Sequence, residues 1–286
     1  MTDEATAFVP GHVTGFFSAH PHENPARAGS RGAGVALSHG VRVTVRRPDE
    51  GRETTDGPPR TTLNGESVPM PPVDGVRKRL GVPDAAVEAE TPLPLGSGFG
   101  VSGAVALGTA YAANAVFGRR LSENGLVSAA HCAEVEAGTG LGDVVGQARG
   151  GLPIRLEPGA PEHGAMDGVP ARPRVEYLTF GEVSTEAVLS GDTRSLTRAG
   201  ERSLADLRDR PTPARLVALS RRFAREAELT TDRVESAVAD VRAAGGDAAM
   251  AMLGDTVFAF GTALSDAGYD PAVCEVHPTG SGLVSE

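Results

Sequence analysis

The stretch Pro94-Leu95-Gly96-Ser97-Gly98-Phe99-Gly100-Val101-Ser102-Gly103-Ala104 combines a glycine loop with the start of an apolar helix. Such a loop gathers free backbone N–H groups at one point, and the helix dipole adds partial positive charge there. This cradle can bind phosphate through main-chain donors, without a lysine. Ser102, in the first helical turn, adds a hydroxyl that can meet Mg²⁺ or a phosphate oxygen. Further on, His131-Cys132-Ala133-Glu134-Val135-Glu136 leads into Gly138-Thr139-Gly140-Leu141-Gly142-Asp143. His131 and Glu134 are three apart and share a helix face. The glycines before Asp143 let its backbone approach a ligand closely. ATP-dependent phosphorylation of an alcohol uses two kinds of carboxylate. One holds Mg²⁺ against the phosphates; the other orients or accepts the hydroxyl proton. Glu134 and Asp143 can divide those tasks. By residue type alone, Asp143 can equally cap a following helix, His131 can be a satisfied structural histidine, and Glu136 reads as a solvated helix residue.

These residues need elements to hold them. A helix is expected from about 101 to 117, with Gly103 and Gly108 each weakening it by roughly 1 kcal/mol relative to Ala unless they serve close packing. A second helix is expected from about 122 to 137, with Ser122 as its N-cap. Before them, Ala5 to Val9 and Val41 to Val45 read as strands. Residues 48–75 read as loops around a short strand or hairpin. Val144-Val145 and Ile154 are strand or buried helix. Beyond a Pro/Gly-rich shift at 157–173, Leu216, Leu219, Phe223 and Ala227 share one face of a helix. Thr231 can cap another that carries Val234, Val238 and Val241. Asp255 to Phe260 and Val273 to Val276 read as strands. The pattern is α+β in two halves, with the division placed between 1–157 and 158–286.

Composition narrows the chemistry. The 286 residues carry a formal charge of −10 and are 40% hydrophobic, enough for real cores and too acidic for nucleic acid to be the main partner. Lys78 is the single lysine among the 27 basic residues, so there is no Walker A lysine and no kinase-type V-A-I-K. An acidic, lysine-poor chain suits a high-salt cytoplasm, and a biased genome produces the same count. Cys132 and Cys274 are far apart and read as inert thiols in a reducing compartment. No apolar run reaches the roughly 18 residues of a membrane span. The acidic start lacks the features of a signal peptide, so a cytoplasmic location is expected.

The order P-x-x-x-G-[LF]-G-x-S-x-A, met by Pro94, Gly98, Phe99, Gly100, Ser102 and Ala104, resembles the phosphate loop of the GHMP small-molecule kinases. The blocks PGHVTGFF, GSRGAGV at 29–35, GSGFGVSGA at 96–104, AHCAEVEAGTGLGDVVGQ at 130–147 and AMAMLGDTVFAF at 249–260 are similar to the archaeal pantoate kinase family. The resemblance agrees with the acidic composition and a haloarchaeal source. It implies the GHMP kinase fold, with an N-terminal half like ribosomal S5 domain 2 and a ferredoxin-like C-terminal half. It implies phosphorylation of the primary hydroxyl of pantoate to 4-phosphopantoate with ATP and Mg²⁺, in archaeal coenzyme A synthesis. The nucleotide residues would be Pro94, Gly96, Ser97, Gly98, Phe99, Gly100 and Ser102. Ser102 and Glu134 would serve the metal, and Asp143 the acceptor hydroxyl.

A substrate carboxylate is best met by an arginine fork. Arg155, just beyond the Asp143 loop, is favoured over Arg31, with Ser30 and His131 around the acid. Many GHMP kinases carry lysine where this chain has His12. That histidine either helps to orient the acceptor or leaves Asp143 with little cationic help. His20-Pro21-His22 reads as a plain loop, and Gly254 as a glycine turn near the active site. The remaining alternatives are a GHMP kinase for homoserine, mevalonate or shikimate, and a silent sensor of ATP or pantoate. Ser102, Glu134 and Asp143 together speak against the silent version. The expected partner is the small-molecule substrate, with no nucleic acid and no membrane; a homodimer is the candidate assembly.

Overall fold

The computed structural model describes residues 3–48, 61–181 and 193–284. The first sheet is built on a long antiparallel pair, β1 (Glu4–His20) and β2 (Gly29–Arg46). Both run far beyond the short segments legible in the sequence. They do so because the pairing shifts register twice, between Pro10 and Gly11 and between Thr14 and Phe16. A proline, which has no N–H to donate, is tolerated at such a bulge. At the first bulge the His12 N–H bonds the Phe99 carbonyl at 2.9 Å, which ties β1 to the glycine loop. Across the sheet the order is β12 (Gly282–Leu283), β1, β2, β5 (Ala86–Glu90), β3 (Thr61–Leu63) and β4 (Glu66–Val68). In addition, β6 (Leu152–Glu157) pairs with β2, and β7 (Ala165–Val169) with β6.

The second sheet runs β11 (Ala272–Glu275), β8 (Arg174–Gly181), β10 (Asp255–Phe260) and β9 (Ala248–Ala251), all antiparallel. Its last strand lies beside its first, in the split ferredoxin-like arrangement. The α+β architecture expected from the sequence is therefore present. The chain passes to the second sheet at β8. The division expected at 157/158 falls between β6 and β7, which are hydrogen-bonded neighbours. Prolines and glycines mark turns wherever they occur, within a sheet as well as between halves.

Four helices frame the site. α1 (Pro71–Leu80) begins inside the segment read as loop. Its prolines stand in the first turn, where the N–H groups lack acceptors in any case, and Val73, Val76 and Leu80 are buried. Before this helix, β3 and β4 form the short hairpin expected in that segment, and the part over 49–60 lies outside the described residues. α2 (Val101–Phe117) is buried on almost every side, which accounts for its weak periodicity. A Cβ on Gly108 would stand 2.5 Å from Val43 Cγ2, so the glycine lets α2 lie against β2. α3 (Glu123–Ala137) is capped by the Ser122 hydroxyl, which accepts from the Gly125 N–H at 3.3 Å. α4 (Asp143–Arg149) follows the second glycine loop.

Beyond β8, α5 (Arg194–Asp209) has no counterpart in the sequence reading. It is strongly charged, and its buried Leu196, Leu204 and Leu207 face β1 and the next helix. α6 (Pro213–Glu226) buries Leu216, Leu219 and Phe223, and α7 (Asp232–Ala243), capped by Thr231, buries Val234, Val238 and Val241, both as expected. The Phe223 ring stands 5.8 Å from that of Phe17 on β1, so the apolar core is continuous across the two halves. Among the described residues, no helix is long and apolar enough to cross a membrane.

Candidate active site

The glycine loop arrives at α2 with Gly96, Gly98 and Gly100 all in left-handed backbone (φ 75°, 87° and 63°), a region that other residues enter with difficulty. No acidic residue and no side-chain cap occupies the first turn of α2. The N–H groups of its first turn lack intrahelical acceptors; that of Gly103 goes to the Glu134 carboxylate, which leaves those of Val101 and Ser102 for a ligand. Gly96, Gly98, Phe99, Gly100 and Ser102 line a cleft of about 510 Å³. The loop is clamped from behind. Phe99 packs edge-on against Tyr177 of β8 at 4.8 Å, and the Ser97 carbonyl accepts from Thr256 Oγ1 at 2.9 Å. Ser97 is buried and Pro94 exposed, and neither lines the cleft.

Ser102 Oγ donates to Glu134 Oε1 at 2.9 Å. A Cβ on Gly103 would stand 2.5 Å from Glu134 Oε2, so the glycine within α2 makes room for this carboxylate. Burial, then the nearby charge of Asp143, push Glu134 up to about 8, against hydrogen bonds from Ser102, Thr139 and the Gly103 N–H. The Glu134 carboxyl and the Ser102 hydroxyl, at the foot of the glycine loop, are hard oxygen donors of the kind that suits Mg²⁺. Among the described residues, no group of three or more His, Cys, Asp or Glu side chains could hold a metal by itself.

Asp143 opens α4 beside the loop, where Gln147 Nε2 donates to the Gly100 carbonyl at 2.9 Å. Behind it, His12 Nδ1 stands 2.7 Å from Asp143 Oδ1, and Thr14 Oγ1 donates to the same oxygen at 3.2 Å. Both residues come from β1 and share a strand face. His12 is fully buried, and Cβ atoms on Gly34 or Gly146 would collide with its ring. Burial lowers the His12 pKa, opposed by Asp143, so we assign a neutral ring that donates Nδ1–H. Burial raises the Asp143 carboxyl, but His12, Arg155 and Thr14 outweigh it and keep Asp143 below the usual carboxylate range. Its Oδ2 accepts no hydrogen bond among the described residues.

Arg155 on β6 is 1% exposed, and among the described residues its Nε and Nη1 have no hydrogen-bond partner. A Cβ on Gly142 would stand 2.7 Å from Arg155 Nε and would also strike Ser30 Oγ, so that glycine keeps both side chains open to one space. They share a second cavity, about 20 Å³, with Asp143 and Leu253. Thr14, Asp143 and Leu253 line both cavities and form the seam between them. Three further side chains considered from the sequence do not line the second cavity. His131 Nε2 lies 2.9 Å from the Ala28 carbonyl and braces the segment before Ser30. Arg31 Nε donates to the Leu156 carbonyl at 2.6 Å. Glu136 is exposed and pairs with Arg79.

Residues 73–151 match the family described as GHMP kinases N terminal domain. A pantoate kinase of Thermococcus kodakarensis is 35% identical over 263 residues, which cover 88% of this chain and 86% of the relative. One of Methanospirillum hungatei is 33% identical over 262 residues, covering 90% and 87%. The chain belongs to the pantoate kinase family. It is thereby a GHMP kinase and an ATP-dependent enzyme. A solved structure described as a phosphotransferase related to the CoA biosynthesis pathway superposes with TM-score 0.85 at 29% identity, covering 98% of each chain. A homoserine kinase from Cytophaga hutchinsonii, at 18% identity and TM-score 0.68, shares the fold.

In this family member the sequence blocks missed Thr14, Gln147 and Leu253 as parts of the site. Thr14 lies two residues from His12, and that strand spacing was the available signal. Gly254 does stand at the site: a Cβ there would collide with the Ser97 carbonyl, because the β9–β10 turn rests on the phosphate loop. Gly254→Ala is expected to lower stability by about 1–3 kcal/mol through overpacking and to weaken ATP binding. Denaturant melts and nucleotide titration check both effects.

Proposed function

We propose that the chain transfers the γ-phosphoryl group of ATP to the primary hydroxyl of pantoate, the step that commits pantoate to coenzyme A synthesis in archaea. The observation that carries the reading is the seam: Asp143 lines both the cleft under the phosphate loop and the cavity that holds Arg155. ATP lies in the cleft with its phosphates on the N-terminus of α2. Pantoate spans the seam, with its carboxylate reaching into the cavity to the Nε and Nη1 of Arg155 and to Ser30. Its primary hydroxyl then faces Asp143 Oδ2. The hydroxyl proton passes to Asp143 as the oxygen bonds the γ-phosphorus, the bridging β–γ bond breaks, and ADP leaves. His12 holds Asp143 from behind and does not touch the acceptor.

Ser102 and Glu134 would hold Mg²⁺, which supplies charge neutralisation on the phosphates when bound. In a high-salt assay with Mg-ATP, ADP and phosphopantoate are expected only when pantoate is present. The panel of acceptors includes homoserine, mevalonate and shikimate. Equal or faster turnover of one of these removes pantoate as the substrate.

A further inference from the structure

The turn between β9 and β10 carries the least comfortable backbone near the site. Leu253 has φ 66°, left-handed, where a non-glycine residue is uncommon. Its neighbours impose that conformation. The Met252 N–H donates to the Thr14 carbonyl at 2.9 Å, and Gly254 rests on Ser97. Asparagine or glycine would take this backbone more easily. A leucine kept there at a conformational cost points to a task for its side chain.

That side chain is half-buried and lines both cavities. Among the described residues, the others around the acceptor cavity come from β1, β2, β6 or the Leu141–Asp143 segment, and Leu253 is the one that comes from the second half. The cavity has two chemical faces. Arg155, Ser30, Thr14 and Asp143 are polar, whereas Phe17, Leu141 and Leu253 are apolar. At about 20 Å³ it holds roughly one water, so an acceptor fills it only together with the adjoining cleft, across the seam of Thr14, Asp143 and Leu253.

We infer that Leu253 is a specificity-determining residue that selects an acceptor with a quaternary, dimethylated carbon between its acid and its reacting hydroxyl. The inference rests on the proposed reaction. Pantoate has its carboxylate at one end and its primary hydroxyl at the other; of the two carbons between, one carries a secondary hydroxyl and the other two methyl groups. With the ends held by Arg155 and Asp143, the methyl groups meet the wall of Leu253, Phe17 and Leu141. The enzyme thus reads the acceptor's bulk from the same turn that supports the phosphate loop.

The test compares kcat/KM for pantoate and for 2,4-dihydroxybutanoate, the same chain without the methyl groups. The wild-type enzyme is expected to prefer pantoate by about 10–200-fold, the range that an apolar pocket gains from small apolar groups. Leu253→Ala and Leu253→Asn are expected to cut that ratio about tenfold, and Leu253→Met to keep most of it. Leu253→Asn separates side chain from backbone, because Asn favours the left-handed turn. Its thermal melting should match or exceed wild type while selectivity falls. An unchanged ratio in Leu253→Ala and in a folded Leu253→Asn overturns the inference and leaves the proposed reaction standing. A wild-type enzyme that turns over neither acceptor overturns the reaction, and the inference falls with it.

Discussion

Asp143→Asn is expected to lower kcat by about 10²–10⁴-fold while ATP still binds, the usual loss when a general base is removed. The change keeps the side chain's size and removes the basic oxygen that faces the acceptor cavity. The nucleotide should be unaffected in affinity, since the phosphate cradle is main-chain and Ser102 and Glu134 stand on other helices. His12 and Thr14 both reach the same oxygen of Asp143, so the substituted amide remains anchored. Glu134→Gln supplies the contrast. It should raise the Mg²⁺ concentration needed for turnover, and added Mg²⁺ should restore part of the activity. Calorimetry with ATP and turnover against Mg²⁺ concentration, for both variants, check this division. Normal turnover by Asp143→Asn, or magnesium rescue of Asp143→Asn and not of Glu134→Gln, reverses the assigned roles. The contrast is needed because any misplacement in an active site slows the reaction.

Arg155→Ala is expected to raise KM for pantoate far more than KM for ATP. Loss of one partner of a buried charge pair costs about 2–5 kcal/mol, or roughly 30- to 4,000-fold in affinity. Arg155→Lys keeps the charge and loses the fork, so it should recover only part of the affinity. The unliganded protein should respond in the opposite sense. Arg155 is buried with Nε and Nη1 unpartnered among the described residues, an arrangement that opposes folding. Arg155→Met, which keeps the volume and removes the charge, should therefore melt at or above the wild-type temperature while its pantoate KM rises. A marked fall in melting temperature with an unchanged pantoate KM would make Arg155 a structural residue. It would not pass the role to Arg31, whose guanidinium is already bonded to the Leu156 carbonyl and faces Glu157.

Part of this site lay open in the sequence because it obeys local rules. The glycine loop, the helix it feeds and the Ser122 cap depend on backbone conformations and hydrogen bonds within a few residues. Gly103 and Gly108 suggested a helix in tight contact, and the contacts are Glu134 and Val43. α1 and α5 stayed hidden for different reasons. α1 starts with prolines that mimic a loop, and α5 carries so much charge that its short apolar stripe is masked.

By itself, the amino-acid order determined the α+β class and the family, and it singled out the glycine loop and the carboxylates Glu134 and Asp143 as the candidate site. Each is written in residues close together along the chain or in a fixed succession of such blocks. Only the tertiary structure decided which of these side chains come together. His12 and Asp143 meet although 131 positions separate them, and the bulged register of β1 against β2 sets that meeting. Ser30 and Arg31 are neighbours on one strand and so point to opposite faces; their spacing alone does not tell which face meets the substrate. The pairing of β2 with β6 puts Ser30 beside Arg155 and sends Arg31 to the Leu156 carbonyl. His131 shares a helix face with Glu134 as its spacing requires, yet its ring is taken by the Ala28 carbonyl. Leu253 enters from the other sheet altogether. A local pattern constrains a residue's neighbours along one element, whereas a site is closed by packing between elements, which no single element encodes.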